Sequence, residues 1–444
     1  MTRAELPTWQ NQKLTSAPNH VVIVGAGFGG LSAAKALVRK KNILVTLIDK
    51  RNHHLFQPLL YQVATAGLNP ADIAVPIRSQ FSNAANVSVH MGEVIAVNLQ
   101  EKNITVKKAE DSTQKDGVTE IHFDFLILAC GAQHSYFGKT EWEEFAPGLK
   151  SLEQATEMRR RILTAFEAAE NEIDPEKQKV LLTFAIVGGG PTGVELAGAI
   201  ADISRTVLVK DFKRINPASA RVVLVEAGSR ILASFDEQLS RHAADDLKKL
   251  GVEVRTGVRV TNIDQNGIVF GNEKINAATV FWAAGVQASK LGSLLDVQTD
   301  KNGRVKVEED LSVPQFPYAY VIGDMAAFEL ADKTILPGLA PVAIQQGRAV
   351  AQNISLTLEH KPRKAFKYFD KGQMATIGKR KAIAQSGQLR LTGLVAWFAW
   401  LFIHILYLVG FRNRVAVLFE WAWNYLFSKR GARLITNKNW KLDA

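Results

Sequence analysis

The stretch Val21-Val-Ile-Val-Gly-Ala-Gly-Phe-Gly-Gly30 decides the fold. Four β-branched residues make a short buried strand, and glycines then stand at Gly25, Gly27 and Gly30. This is G-x-G-x-x-G directly after a strand and before a helical run, Leu31-Ser-Ala-Ala-Lys-Ala-Leu37. The first glycine allows the tight turn, the second lets backbone approach a pyrophosphate, and the third lets helix and strand pack closely. The helix N-terminus then faces the phosphates with its positive end. A second strand, Ile43-Leu-Val-Thr-Leu-Ile48, ends in Asp49, placed to accept from the hydroxyls of an adenosine ribose.

The pattern recurs. Phe184-Ala-Ile-Val187 is a strand, Gly188-Gly-Gly-Pro-Thr-Gly193 repeats the glycine spacing, and Val194-Glu-Leu-Ala-Gly-Ala-Ile200 opens a helix. The following strand, Arg221-Val-Val-Leu-Val225, ends at Glu226, farther from Gly188 than Asp49 is from Gly25. The extra length falls in the extended helix and the loop Asp211–Pro217. Two closing strands end in small-residue turns, Phe123–Gly131 and Ala278–Gly285, and a third, Tyr318–Asp324, ends in Gly-Asp. Between these lie a helical stretch from about Ser151 to Glu172 and an expected antiparallel hairpin excursion over Val87–Val97 and Ile104–Asp116, with its tip exposed. The polar stretch Lys50–Tyr61 reads as a loop near the cofactor; its histidines, His53 and His54, have no Cys, Asp or Glu cluster beside them, so no metal site is expected.

At 444 residues the chain is long enough for two or three domains. Its net charge of +11 points to nucleic acid, an anionic membrane surface or anionic ligands. No helix-turn-helix, RNP or zinc pattern supports nucleic acid. The single cysteine, Cys130, excludes structural disulfides and a Cys-x-x-Cys redox pair, and a lone thiol at a strand end reads as a packed residue. Residues 1–20 are polar, without the apolar core of a signal peptide, so a cytoplasmic chain is expected.

Paired nucleotide folds followed by Ile-Gly-Asp resemble the two-dinucleotide-binding flavoproteins, in which the first fold holds FAD and the inserted second fold holds NAD(P)H. The resemblance implies FAD at Gly25, Gly27, Phe28, Gly29, Gly30, Asp49, Lys50, Gln57, Ala129, Gly131, Gly323, Asp324, Ala340 and Val342. It implies the nicotinamide cofactor at Gly188, Gly190, Thr192, Gly193, Glu226, Ala284 and Gly285. Glu226 favours NADH, because its carboxylate would repel a 2′-phosphate, although Arg230 lies close in sequence. Disulfide reductases and sulfide-oxidising quinone reductases of this superfamily need cysteines that this chain lacks.

The C-terminal part speaks to the electron acceptor. Leu336–Gly347 should begin a helix near the flavin. The run Leu391–Val409 is apolar and rich in aromatics, and Val415–Phe427 is a second such stretch, carrying Glu420 and Asn424. From Arg390 to the end, eight Lys/Arg stand against Glu420 and Asp443. Aromatic helices flanked by cations suit a body lying in the headgroup layer; a true span and a buried interface are the other readings. With Ala-Ile-Val-Gly-Gly-Gly-Pro-Thr-Gly-Val-Glu195 and Met374-Ala-Thr-Ile-Gly378, these features resemble bacterial type II NADH dehydrogenase, the non-pumping NADH:quinone oxidoreductase. That family carries Ala-Gln-x-Ala-x-Gln at its quinone site. Here Ala340, Ala343 and Gln345 match but Pro341 replaces the first glutamine, which shifts quinone contacts toward Gln345 and Gln346.

The expected architecture is therefore α/β, with two Rossmann-like dinucleotide-binding domains and a C-terminal amphipathic helical membrane-anchoring region. Its segments are 1–19 (flexible N-terminus), 20–147 and 287–362 (FAD-binding), 148–286 (NADH-binding) and 363–444 (quinone site and membrane association). The expected enzyme passes hydride from NADH to FAD and electrons to a membrane quinone, at the cytoplasmic face of the cell membrane. Glu195 has two readings: a catalytic carboxyl contacting nicotinamide or relaying protons, or an ordinary helix N-terminal carboxylate. The resemblance also implies a homodimer. The rival readings are a soluble NADH-dependent reductase of a small electron-transfer protein such as ferredoxin or rubredoxin, and a non-enzymatic redox-sensing flavoprotein.

Overall fold

A computed structural model describes residues 17–108, 117–427 and 431–436. The chain forms two compact units, one of residues 1–54, 76–132 and 288–368, the other of 55–75, 133–287 and 369–444. Most of the expected flexible N-terminus, the hairpin tip, and Lys429, Arg430, Lys438, Lys441 and Asp443 of the tail lie outside the described residues.

In the first unit the opening strand Asn19–Val24 pairs in parallel with Ile43–Asp49 on one side and Phe125–Leu128 on the other. Phe316–Val321 extends the sheet in parallel beyond Phe125–Leu128. The side chains of the opening strand alternate. Val21 and Ile23 enter the core shared with the helices Phe28–Leu37 and Ala340–Leu358, while Val22 and Val24 enter the core on the opposite face. Period-2 packing on both faces explains the unbroken apolar run, since a parallel strand is covered on both sides. Truncating Ile23, which is wholly buried, to alanine would cost about 2–5 kcal/mol. The two helices meet at small residues: a Cβ on Gly347 would run into the Gly29 carbonyl oxygen.

Two expectations change here. Val87–Asn98 is no mere hairpin excursion: Val87–Met91 pairs in parallel with Val45–Asp49, and only the later half pairs antiparallel with Asn103–Lys108. One long strand thus belongs both to the nucleotide-binding sheet and to a meander continued by Val118–His122. The stretch Lys50–Tyr61 is not a loop either. It folds into the short strand His53–Leu55, a 3-10 turn Gln57–Leu59 and the start of the helix Leu60–Ala64. Leu59, Leu60, Tyr61, Val63 and Ala64 are all buried, and that burial of apolar side chains draws the segment into regular structure.

In the second unit a four-stranded parallel sheet has the order Val252–Arg255, Arg221–Val225, Thr183–Val187, Thr279–Trp282. The helix Leu152–Asn171 starts where expected, with the Ser151 hydroxyl accepting from the Gln154 N–H. The added length before Glu226 is a continuation of the helix Pro191–Asp202 as a π-turn, Ile203–Val207, and a 3-10 turn, Leu208–Lys210. A three-stranded antiparallel sheet, Gln373–Gly378, Lys381–Ser386 and Leu389–Thr392, packs against this helix. Gly198 makes the packing close, because a Cβ there would run into the Ile377 carbonyl oxygen. Residues 369–444, expected to stand apart with 363–368, fall into one unit with the second nucleotide fold.

The unit ends in two helices, Gly393–Tyr407 and Phe411–Phe427. Among the described residues no helix is long and apolar enough to cross a membrane. The first, 15 residues long, spans about 22 Å against a hydrocarbon core of about 30 Å.

Candidate functional site

Each unit carries one glycine cradle at the carboxyl ends of its central strands, where open α/β sheets bind ligands. In the first, Gly25 has φ +98°, and a Cβ on it would stand 2.5 Å from the Ala129 carbonyl oxygen, at the end of the adjacent strand. A Cβ on Gly30 would run into the Gly25 carbonyl oxygen. Asp49 braces the loop: one carboxylate oxygen accepts from the Ala26 N–H at 2.7 Å and the other from the Arg51 N–H at 2.8 Å. His54 accompanies it, buried, with Nδ1 2.9 Å from the Ala26 carbonyl and its ring edge-on to Phe28. Because Nδ1 must donate to that carbonyl, the ring holds one fixed tautomer, and burial lowers its pKa, keeping it neutral.

The turn Gly323–Met325 completes this cradle. Gly323, at φ +68°, donates its N–H to the Gln346 side-chain oxygen at 2.7 Å. Gln346 is 1% exposed, so it faces the turn rather than an open cleft. A Cβ on Gly338 would stand 2.8 Å from an Asp324 carboxylate oxygen. Ala340 and Pro341 form the first turn of the helix Ala340–Leu358, where a missing N–H costs no helical bond. Val342 is buried, whereas Gln345 is partly exposed. Lys50 is exposed, and Ala129 and Gly131 line the adjacent strand end, Gly131 at φ +68°. Cys130 packs here with its thiol toward the Val24 carbonyl, and burial pushes its pKa up to about 12, so it is no thiolate nucleophile. Gln57 belongs to the second unit, where its amide reaches the Lys150 carbonyl.

The second cradle repeats the first. Gly188 has φ +112°, with a Cβ there 2.5 Å from the Ala283 carbonyl carbon, and a Cβ on Gly193 would run into the Gly188 carbonyl oxygen. Glu226 takes the Asp49 role, accepting from the Gly189 and Gly228 N–H groups at 2.6 Å each. Gly190 is open, Thr192 is exposed on the first helical turn, and Ala284 and Gly285 stand at the end of the neighbouring strand. The Arg230 guanidinium donates to the Phe235 and Ala233 carbonyls at 2.7 and 2.9 Å, which commits it to its own loop rather than to a 2′-phosphate.

Both cradles fit a dinucleotide. Their backbones approach so closely that side chains are excluded, and each has a carboxylate at the end of its second strand. What the second adds is Glu195, one turn into its helix. The Glu195 carboxyl accepts from the Thr376 N–H at 3.4 Å, and burial pushes its pKa up to about 8. An ordinary helix N-terminal carboxylate would be held low by the dipole. Glu195 therefore holds its proton more tightly than an ordinary carboxyl. Sequence reading missed its partner Thr376 and the spacer Gly198; a glycine inside a helical pattern was the one available signal.

Residues 19–347 match the family model described as pyridine nucleotide-disulphide oxidoreductase, and residues 371–430 match that of the NDH2 C-terminal domain. The chain is 41% identical over 442 residues to the type II NADH:quinone oxidoreductase Ndh of Mycobacterium tuberculosis, covering 96% of this chain and 93% of that protein. The chain belongs to the type II NADH:quinone oxidoreductases. A second relative, NdhA of the same organism, is 42% identical over 434 residues, covering 95% and 90% of the two chains. The solved structure of NDH2 from Plasmodium falciparum in complex with NADH superposes with a TM-score of 0.85 at 20% identity, over 94% of this chain and all of that one, which shows the shared fold. As in other type II oxidoreductases, the expected fold class of two Rossmann-like domains is present. The match over 371–430 supports the quinone reading rather than the soluble reductase of a small electron-transfer protein.

Proposed function

We propose that this chain is a peripheral membrane flavoenzyme that oxidises NADH and reduces a membrane quinone without pumping protons. FAD bound in the first cradle supplies the two-electron store between the two substrates. Gly188–Gly193 and the N-terminus of the helix Pro191–Asp202 hold the NADH pyrophosphate, and Glu226 binds the adenosine ribose and selects against NADPH. Hydride leaves NADH with two electrons and one proton; a quinol needs two electrons and two protons, so one further proton must be supplied. Glu195 carries that proton: its carboxyl stands beside the second cradle, hydrogen-bonds only with the Thr376 N–H among the described residues, and has its pKa pushed by burial up to about 8. Gln345 is the quinone contact on the helix Ala340–Leu358. Gln346, expected beside it at the quinone, instead holds the Gly323 turn of the flavin cradle.

The quinone pool is reached through the C-terminal helices. Val395, Phe398, Phe402, Phe411, Phe419 and Leu426 are between 58% and 82% exposed, apolar side chains suited to an apolar phase. Ala396, Trp397 and Trp400 of the same region face the protein. Arg390 pairs with Asp236, and Arg433 with Asp211, so part of the basic tail serves the fold rather than lipid. The helices lie in the plane of an anionic membrane at its cytoplasmic face. Purified, FAD-loaded protein should oxidise NADH with a short-chain quinone, and should bind anionic vesicles. Replacing Phe402 and Phe419 by aspartate should release it from vesicles with flavin content unchanged; undiminished binding would contradict the placement of the anchor.

A further inference from the structure

Four hydrogen bonds run from the last helix to Glu195. The Trp421 indole Nε1 donates to the Gln62 side-chain oxygen at 2.8 Å. Gln62 Nε2 donates to the Tyr61 phenol oxygen at 3.0 Å, and that hydroxyl lies 3.0 Å from the Thr376 hydroxyl. Thr376 donates its backbone N–H to Glu195. An indole N–H can only donate, so Trp421 fixes which way the Gln62 amide points. The amide nitrogen must then face Tyr61, whose phenol accepts there and shares a second hydrogen bond with the Thr376 hydroxyl. The side-chain bonds thus end on the Thr376 hydroxyl, and the backbone N–H of the same residue meets the carboxyl. Tyr61 is 8% exposed and Thr376 5%, so these polar groups are costly to leave unpaired.

We propose that Tyr61, Gln62 and Trp421 are positioning residues for Glu195: by anchoring the Thr376 side chain they hold the Thr376 N–H on the Glu195 carboxyl and so set how readily that carboxyl yields its proton. The proposal rests on the reading of Glu195 as the proton donor to quinone. It also makes the helix Phe411–Phe427, whose outer face is apolar, one end of a link to the chemistry. Few competing charges act on Glu195 from the elements packed around its helix. Tyr61 is the titratable side chain brought by Leu60–Ala64, and the strand Gln373–Gly378 brings none. Arg221 and Arg255 of the parallel sheet pair with Glu253. Asp246 of the helix Glu237–Lys249 pairs with Lys249, and with Lys381 of the next strand.

The test is the pH profile of the quinone-dependent step in full-length, FAD-loaded protein, measured as return of flavin absorbance after reduction. Loosening the Thr376 N–H from the carboxylate disfavours the charged form, so the alkaline midpoint should move up. In Tyr61→Phe the expected rise is roughly half a pH unit to one unit. Thr376→Val should shift it likewise, Thr376→Ser should restore it, and Trp421→Phe should give a smaller rise. If Tyr61→Phe loses flavin, Thr376→Val and Trp421→Phe carry the test. Unmoved midpoints, together with an alkaline limb that vanishes in Glu195→Gln, would overturn the proposal alone. A limb that survives Glu195→Gln would overturn the reading of Glu195 and the proposal with it.

Discussion

The two glycine cradles are nearly the same object. Each has a left-handed first glycine abutting the neighbouring strand end, a third glycine pressed on the first, and a carboxylate bracing the loop through two backbone N–H groups. They differ in what packs on the helix that follows. On the first, Gly29 admits the helix Ala340–Leu358, whose Gln346 fixes the Gly323 turn. On the second, Gly198 admits the strand Gln373–Gly378, whose Thr376 contacts a carboxyl whose pKa burial pushes up to about 8. On the function proposed above, the first cradle holds a cofactor still and the second brings a substrate beside a proton source. The shared loop sets the ligand class, and the third element sets the task.

The same substitution in the two cradles should therefore fail differently. Gly25→Val should leave protein without flavin, whereas Gly188→Val should retain flavin and slow its reduction by NADH at least about a hundredfold; equal flavin loss in both would erase the distinction. Glu195→Gln should lower quinone turnover by about a hundredfold. In the unmodified protein the carboxyl is protonated below about pH 8, so the proton-dependent rate should hold at neutral pH and fall as pH rises through that value. Turnover that instead falls toward acid pH would assign Glu195 as a base. Gln346→Leu leaves the Gly323 N–H without its acceptor at a cost of about 1–3 kcal/mol, so flavin should dissociate roughly tenfold faster or more, read from fluorescence of the released cofactor. Smallest is Glu226→Ala, which should raise the NADPH-to-NADH ratio of kcat/KM by roughly tenfold. No rise would mean that the carboxylate does not select the nucleotide.

Much of the first cradle was legible, because its residues are contiguous: strand, glycines, helix and terminal acid follow one another between Val21 and Asp49. So was the repeat at Gly188, despite the long path to Glu226, since a π-turn adds residues without changing where the strand ends. What could not be read were contacts between distant segments. Tyr61 and Thr376 are 315 residues apart, and no periodicity announces that their hydroxyls meet. The neighbouring glutamines at 345 and 346 look interchangeable in sequence. A helix turns by about 100° per residue, which sends Gln346 into the core and leaves Gln345 at the surface of its unit. Lys50–Tyr61 misled through its polar first half, although the buried spacing of Leu59, Leu60 and Val63 already favoured a helix.

The central claim, that one cradle holds flavin while the other delivers NADH for electrons bound to quinone, is tested most directly by sequential anaerobic mixing. FAD-loaded protein is mixed first with a single equivalent of NADH and then with a short-chain quinone, while flavin absorbance is followed. The account predicts bleaching on the first mixing and full return on the second, with the return slowing above about pH 8. Flavin that bleaches with NADH and stays bleached in the presence of quinone would contradict it.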